Sequence, residues 1–181
     1  MELTDLNDLR KAIDGMMPEI MLAAIAVIVL IFSFLKSLNR TTFFVTLAGI
    51  ALYMMMIGLA SPFKIVVSSA AIVTIIISGR EQKIEFHLLI IFVLLGAALL
   101  ITSTNYIMIL LSMEMISISS YVLTAGTTPD KQRAEAAWKF FIYGSTATAV
   151  MIFGMTYMYG ETGTLELEVI SEVYSVSLEV F

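Results

Sequence analysis

A single acidic residue, Glu114, stands in the middle of the apolar segment 107–117, which holds no other ionisable side chain. A carboxylate in the middle of a membrane helix costs at least a few kcal/mol on insertion scales, so such a residue indicates a function. Ser117 and Tyr121 follow at three and seven residues and share its helical face. This polar stripe should face protein or water. The alternative is a protonated acid satisfied by a neighbouring hydroxyl.

The second candidate is Lys139, placed by the pattern about one turn inside a later apolar helix. Tyr143 and Thr146 follow on its face. A Lys this close to a helix end can also extend its ammonium to the interface, which is the structural alternative. A carboxylate near a buried ammonium keeps the Lys charged, and a weaker pairing favours release of its proton. Glu114 and Lys139, about 10 Å apart in depth at 1.5 Å per residue, could therefore form one proton path without touching.

Other polar residues support structural interpretations. Glu19 follows Pro18 at the predicted start of a helix, where the helix dipole favours a carboxylate. His87 lies at a helix end, where an interfacial side chain is more common than a ligand. Gly144 and Gly154 indicate close helix packing.

Six apolar segments can carry these residues through a membrane, because a helix needs about 20 residues to cross the hydrocarbon core. The third is the shortest and needs its flanking residues to reach across. The predicted spans are 18–34, 41–60, 63–78, 84–101, 105–124 and 136–159. The predicted fold is an all-α polytopic membrane helix bundle. Residues 1–16 are then an N-terminal extension, 17–160 the six-helix segment and 161–181 an acidic tail, either an amphipathic strand or a surface helix.

The distribution of Lys and Arg predicts the orientation, since the inner loops of membrane proteins carry the excess. One side holds Lys36, Arg40, Arg80, Lys83, Lys131 and Arg133. The other side holds only Arg10, Lys11 and Lys64. Both termini should therefore lie on the outer (positive) side.

The composition excludes most other classes of protein. Of the 181 residues 59% are hydrophobic and only 14% are charged, whereas soluble domains carry about 25% charged residues. The absence of Cys excludes thiolate-held iron–sulfur clusters, and a single His leaves no cluster for haem or copper. No glycine-rich phosphate loop is present. A net charge of -5 argues against a nucleic-acid partner.

Several motifs together resemble the antiporter-like N subunit of respiratory complex I, called NADH dehydrogenase subunit 2 in mitochondria. Their order and spacing across about residues 84–165 carry the resemblance. The motifs are Glu85-Phe86-His87-Leu88-Leu89-Ile90, Met113-Glu114-Met115-Ile116-Ser117, Glu135-Ala136-Ala137-Trp138-Lys139-Phe140-Phe141, Phe153-Gly154-Met155 and Tyr159-Gly160-Glu161-Thr162-Gly163. Pro18-Glu19-Ile20 is similar to the start of the family's first helix.

The resemblance implies a proton-translocating subunit of NADH:quinone oxidoreductase. In that family the mid-membrane Glu, here Glu114, modulates a Lys, and the Lys of the Glu-Ala-x-x-Lys motif, here Lys139, also belongs to the proton path. The family implies no cofactor on this chain, with FMN, iron–sulfur clusters and quinone elsewhere in the complex.

The family also has many later helices that carry further Lys residues, and this sequence does not continue to them. We therefore expect the N-terminal part of a split subunit whose missing helices come from a separate chain, with truncation as the alternative. Other membrane-arm subunits and membrane lipid are the expected partners. The mitochondrial inner membrane is favoured over a bacterial plasma membrane. Alternative functions are a cation/proton antiporter or membrane-bound hydrogenase subunit, or a structural or assembly membrane protein.

Overall fold

The chain forms seven α-helices in the computed structural model, which describes residues 3–34, 39–58, 61–78, 83–126 and 130–179. No β-strand is present within those residues. The helices are α1 (Leu3–Phe34), α2 (Asn39–Ile57), α3 (Pro62–Ser78), α4 (Ile84–Thr102), α5 (Tyr106–Ala125), α6 (Lys131–Thr162) and α7 (Leu167–Glu179).

The six predicted spans coincide with helices α1 to α6. Four of these helices contain apolar stretches long enough to cross a membrane, namely Gly15–Phe32 in α1 and the whole of α4, α5 and α6. The other two, Thr41–Ile57 and Pro62–Ser78, are shorter apolar helices. The prediction of an all-α polytopic membrane protein is confirmed, and the side on which the termini lie stays a prediction.

Helix α1 begins much earlier than the sequence pattern predicted. It starts at Leu3 and continues through Pro18 without ending, so Pro18 lies inside the helix and not in its first turn. A proline in a helix removes one backbone hydrogen bond and crowds the preceding turn.

The structure divides into two compact units, and the first comprises residues Met1–Ala98. In this unit α1 packs against α2, and α2 packs against α3. Leu22, Ala26 and Val29 are buried at helical spacing on α1, and Ile50 and Tyr53 are buried on α2. This burial fixes the rotation of each helix about its axis and so decides which polar side chains are enclosed.

The second unit comprises Leu99–Phe181, and its main contact is between α5 and α6. The side chains of Asn105 and Asp130 cap α5 and α6 by accepting hydrogen bonds from backbone N–H groups two residues later. Because Asp130 caps α6, the helix starts five residues before the predicted span. Within the predicted tail, Leu167–Glu179 form helix α7, so this part of the tail is a helix and not a strand.

Candidate functional site

Glu114 lies at the contact between α5 and α6. It is the ninth residue of α5 and is partly buried. Thr148 of α6 donates a hydrogen bond from Oγ1 to Glu114 Oε1 over 2.5 Å. A distance this short is typical of a hydroxyl bound to a carboxylate. The intramembrane carboxylate is thus held by a hydroxyl of the neighbouring helix.

Thr148 belongs to a stripe of partly buried residues on α6. The other residues of this helix are exposed, and none of its residues is fully buried. The partly buried residues recur mainly every three or four positions, the pattern of one helix packed against another. These residues are Ala137, Gly144, Thr148, Met151, Met155, Met158 and Thr162. This stripe, the α6 seam, is the face turned toward α5.

Tyr121, predicted on the Glu114 stripe, also reaches α6. A Cβ atom added at Gly144 would lie 1.8 Å from Tyr121 Oη, so the hydroxyl occupies the space that this glycine leaves. The Tyr121 ring meets Phe140 and Phe141 edge-on, with centroids 4.8 and 5.8 Å away. The close packing expected at Gly144 is confirmed. At Gly154 the expectation is wrong, because no described atom lies within 4 Å of an added Cβ.

Ser117, the other residue predicted to support Glu114, is partly buried on the same face of α5. The hydroxyl that binds the carboxylate, however, comes from Thr148 on α6. Thr148 was not predicted from the sequence, because helical spacing relates Glu114 only to residues of its own helix. Nothing in the sequence distinguished Thr148 from the nearby Thr146.

Lys139 lies on a different face of α6. It forms an ion pair with Glu135, one turn earlier, with Nζ and Oε1 2.5 Å apart and both side chains 64% exposed. Tyr143 is 75% exposed, and the Thr146 hydroxyl donates to the Ile142 carbonyl of its own helix. The structure therefore brings Lys139, Tyr143 and Thr146 onto one face, and that face does not contact Glu114.

The first unit contains two buried groups whose environment the sequence analysis did not predict. Glu19 is ion-paired with Lys64 of α3, and both side chains are buried. His87 is fully buried in contact with the ring of Phe43, so its interpretation as an interfacial side chain is wrong. The sequence contains one indication of this ion pair, because Lys64 is a charged residue within the apolar segment that follows Pro62.

Comparison with known proteins finds similarity to subunits of NADH-quinone oxidoreductases. Residues 103–180 match a family described as the NADH:quinone oxidoreductase/Mrp antiporter transmembrane family. NADH-quinone oxidoreductase subunit N 1 of Solibacter usitatus is 35% identical over 127 residues, which cover 67% of this chain and 26% of that protein. Subunit 2 of the Prochlorococcus marinus NAD(P)H-quinone oxidoreductase is 36% identical over 62% of this chain and 24% of its own length.

A solved structure agrees with the sequence comparison. A chain of respiratory complex I from Thermus thermophilus with bound aureothin superimposes with a TM-score of 0.74 and 26% identity. The match covers 83% of this chain and 38% of that chain. The present chain thus spans about a quarter of the length of the curated relatives it matches.

Proposed function

We propose that this chain, a relative of the N subunits of NADH-quinone oxidoreductase, is part of a proton-translocating subunit in the membrane arm of such an enzyme. The resemblance inferred from the sequence motifs is confirmed by the family match, the curated relatives and the complex I structure. The activity, the partners and the proton path that we propose for this chain are inferred from its similarity to those relatives.

The hydrogen bond between Thr148 and Glu114 is the observation that supports this function best. A Thr hydroxyl can donate one hydrogen bond and accept two, and its hydrogen rotates to suit its partner. Thr148 therefore donates to Glu114 when the carboxylate is ionised and accepts from it when the acid carries a proton. This hydrogen bond can therefore persist when Glu114 gains or loses a proton, as a proton relay requires.

Lys139 is proposed as a second proton-carrying residue of the path, on the side of α6 opposite Thr148. Within the described residues its partner is Glu135, and the surrounding face is aromatic and exposed. A charged pair on a membrane-spanning helix avoids lipid by facing protein or a water-filled cavity. We propose that other helices of the subunit pack over Lys139 and over Tyr143 and Thr146, which lie on the same face.

Electron transfer is proposed to occur on other subunits. This chain contains no Cys, and within the described residues no group of three or more His, Asp or Glu side chains could hold a metal. We propose that FMN, iron–sulfur clusters and quinone are held elsewhere in the complex. The contribution of this chain is then confined to binding and moving protons through Glu114 and Lys139.

The proposed partners are other membrane-arm subunits, membrane lipid and a separate chain that supplies the further helices found in the relatives. The protein is a multi-pass membrane protein of the complex I type. The mitochondrial inner membrane stays our prediction for its location, with a bacterial plasma membrane as the alternative. Fractionation of the source cells, with this chain detected by antibody, distinguishes the two.

Purification in mild detergent through a tag on this chain tests the proposal. We expect a large assembly on a native gel that oxidises NADH, and mass spectrometry should identify in it a second chain with the remaining helices. A denaturing gel that detects this sequence only in a much larger polypeptide would contradict the split subunit. Recovery with a cation antiporter or hydrogenase, or without any NADH-oxidising partner, would contradict the proposed function.

A further inference from the structure

A second pair of opposite charges lies inside the first unit, on helices that carry neither Glu114 nor Lys139. Lys64 of α3 donates a hydrogen bond from Nζ to Glu19 Oε1 of α1. The side chain of Glu19 is only 4% exposed and that of Lys64 only 8%. Burying two charges is costly even when they are paired, and removing one partner leaves an uncompensated charge.

Tyr53 of α2 completes the cluster. Its side chain is fully buried, and Glu19 is near enough to act on its hydroxyl electrostatically. Tyr53 Oη and Glu19 Oε2 are both buried, and neither forms a hydrogen bond within the described residues. These two buried polar atoms are therefore unsatisfied in the part of the chain that the structure describes, and groups of this kind in a folded protein require an explanation.

The helix connections place this cluster near one end of the bundle. Tyr53 lies four residues before the end of α2, and Lys64 lies two residues after the start of α3. Glu19 lies four residues into the apolar stretch Gly15–Phe32. At 1.5 Å per residue each lies within about 6 Å, along its helix, of the end of an apolar stretch.

We infer that Glu19, Tyr53 and Lys64 form a second proton-exchange site, at one membrane boundary. This inference rests on the proposed function and adds residues to it. In the resting state ionised Glu19 is paired with Lys64 through Oε1, and its buried Oε2 is free to accept a proton. An arriving proton forms an O–H bond at Glu19 Oε2, and Tyr53 turns to accept it.

The next step returns the charge balance. Protonation of Glu19 removes the counter-charge of Lys64, and a buried ammonium without a counter-charge favours loss of its proton. One proton enters at Glu19 and one leaves from Lys64, so the net charge of the pair is unchanged. No electron donor or acceptor is needed.

A purely structural ion pair is the alternative, and Tyr53→Phe separates the two. This variant removes the hydroxyl and leaves Glu19 and Lys64 paired. A structural pair predicts unchanged proton pumping, whereas a relay predicts a loss. Glu19→Gln is the companion variant, because the amide keeps an acceptor for Lys64 but does not titrate near neutral pH.

The test uses the intact complex in proteoliposomes, with protons pumped per NADH oxidised as the readout. We expect Glu19→Gln and Tyr53→Phe to assemble and to lose pumping, while the exposed controls Glu168→Gln and Tyr159→Phe keep it. The inference is overturned if both test variants match the controls. Should Glu19→Gln fail to assemble, Tyr53→Phe decides the question.

Glu114→Gln is measured in the same series so that two failures can be told apart. If it lowers pumping while Glu19→Gln and Tyr53→Phe match the controls, only this second site is overturned. If Glu114→Gln itself matches the controls, the proposed role of Glu114 fails.

Discussion

Lys139 and Thr148 lie on opposite sides of α6, because nine residues are two and a half turns of an α-helix at 3.6 residues per turn. Since Thr148 binds Glu114, the Lys139 face is turned away from the carboxylate. The two positions are also about 14 Å apart along the axis at 1.5 Å per residue. Glu114 thus contacts one side of α6, and Lys139 lies on the opposite side. We therefore expect mutations of these two residues to have independent effects.

Replacing Thr148 by Val tests the hydrogen bond to Glu114. The change removes the hydroxyl at nearly constant volume and leaves a partly buried carboxylate without its donor, at a cost of about 1–3 kcal/mol. We expect a lower thermal stability of the purified complex and slower proton pumping. Thr156→Val is the matched control, because among the described residues the Thr156 hydroxyl binds the Ile152 carbonyl of its own helix and nothing on α5. Equal results for the two variants would contradict the assignment of Thr148.

Gly144→Ala should separate α5 from α6. The added methyl group would overlap with Tyr121 Oη, and overpacking of this kind costs about 1–3 kcal/mol. Reduced assembly and a lower melting temperature are the expected results. At Gly154 the space around an added Cβ is open, and Ala favours a helix by about 1 kcal/mol over Gly. Gly154→Ala should therefore be neutral or stabilising, and a matching loss there would rule out Tyr121 as the cause.

Lys139→Met tests the second proton-carrying residue. The helices proposed to cover Lys139 would enclose its ion pair with Glu135, so we expect a lower melting temperature of the complex, and pumping is compared per assembled complex. Proton pumping should fall, because the protonatable group is gone. Lys131→Met, at the exposed first residue of α6, should leave both quantities unchanged. Normal pumping in Lys139→Met would show that this Lys has only an interfacial role.

Asn105→Asp should loosen α7 without unwinding α5. The Asn105 side chain caps α5 through Oδ1 and donates from Nδ2 to Glu166 Oε1 over 2.8 Å. Asp retains the capping oxygen but replaces the donor with a second carboxylate facing Glu166. Hydrogen exchange should become faster in α7 and stay slow in α5. Faster exchange in α5 as well would mean that the cap depends on the amide.

The helices could be predicted from the sequence because a membrane span depends on the total hydrophobicity of about 20 residues. Helix ends were harder to predict. Pro18 was interpreted as a first-turn residue, whereas α1 runs through it, and the cap at Asp130 starts α6 before its apolar stretch. These boundaries depend on single residues and their local hydrogen bonds.

The candidate site was predictable in its central residue and not in its partners. Glu114 stands out because no other charge lies near it in the sequence. Thr148 and Lys64 can be recognised as partners of Glu114 and Glu19 only when the packing of the helices is known. Helical periodicity grouped Lys139 with Tyr143 and Thr146 correctly. It contained no information on which side of α6 the helix α5 would occupy.

Glu114 is proposed to carry protons, and Glu114→Gln in the intact complex removes this capacity. Gln keeps an acceptor for Thr148 and nearly the same volume, so folding and assembly should be preserved. The measurement is the number of protons moved into sealed vesicles per NADH oxidised, with Glu168→Gln as the control. We predict a clear loss of proton movement per NADH in Glu114→Gln alone. An unchanged ratio in a fully assembled complex would contradict the claim and favour a structural role for Glu114.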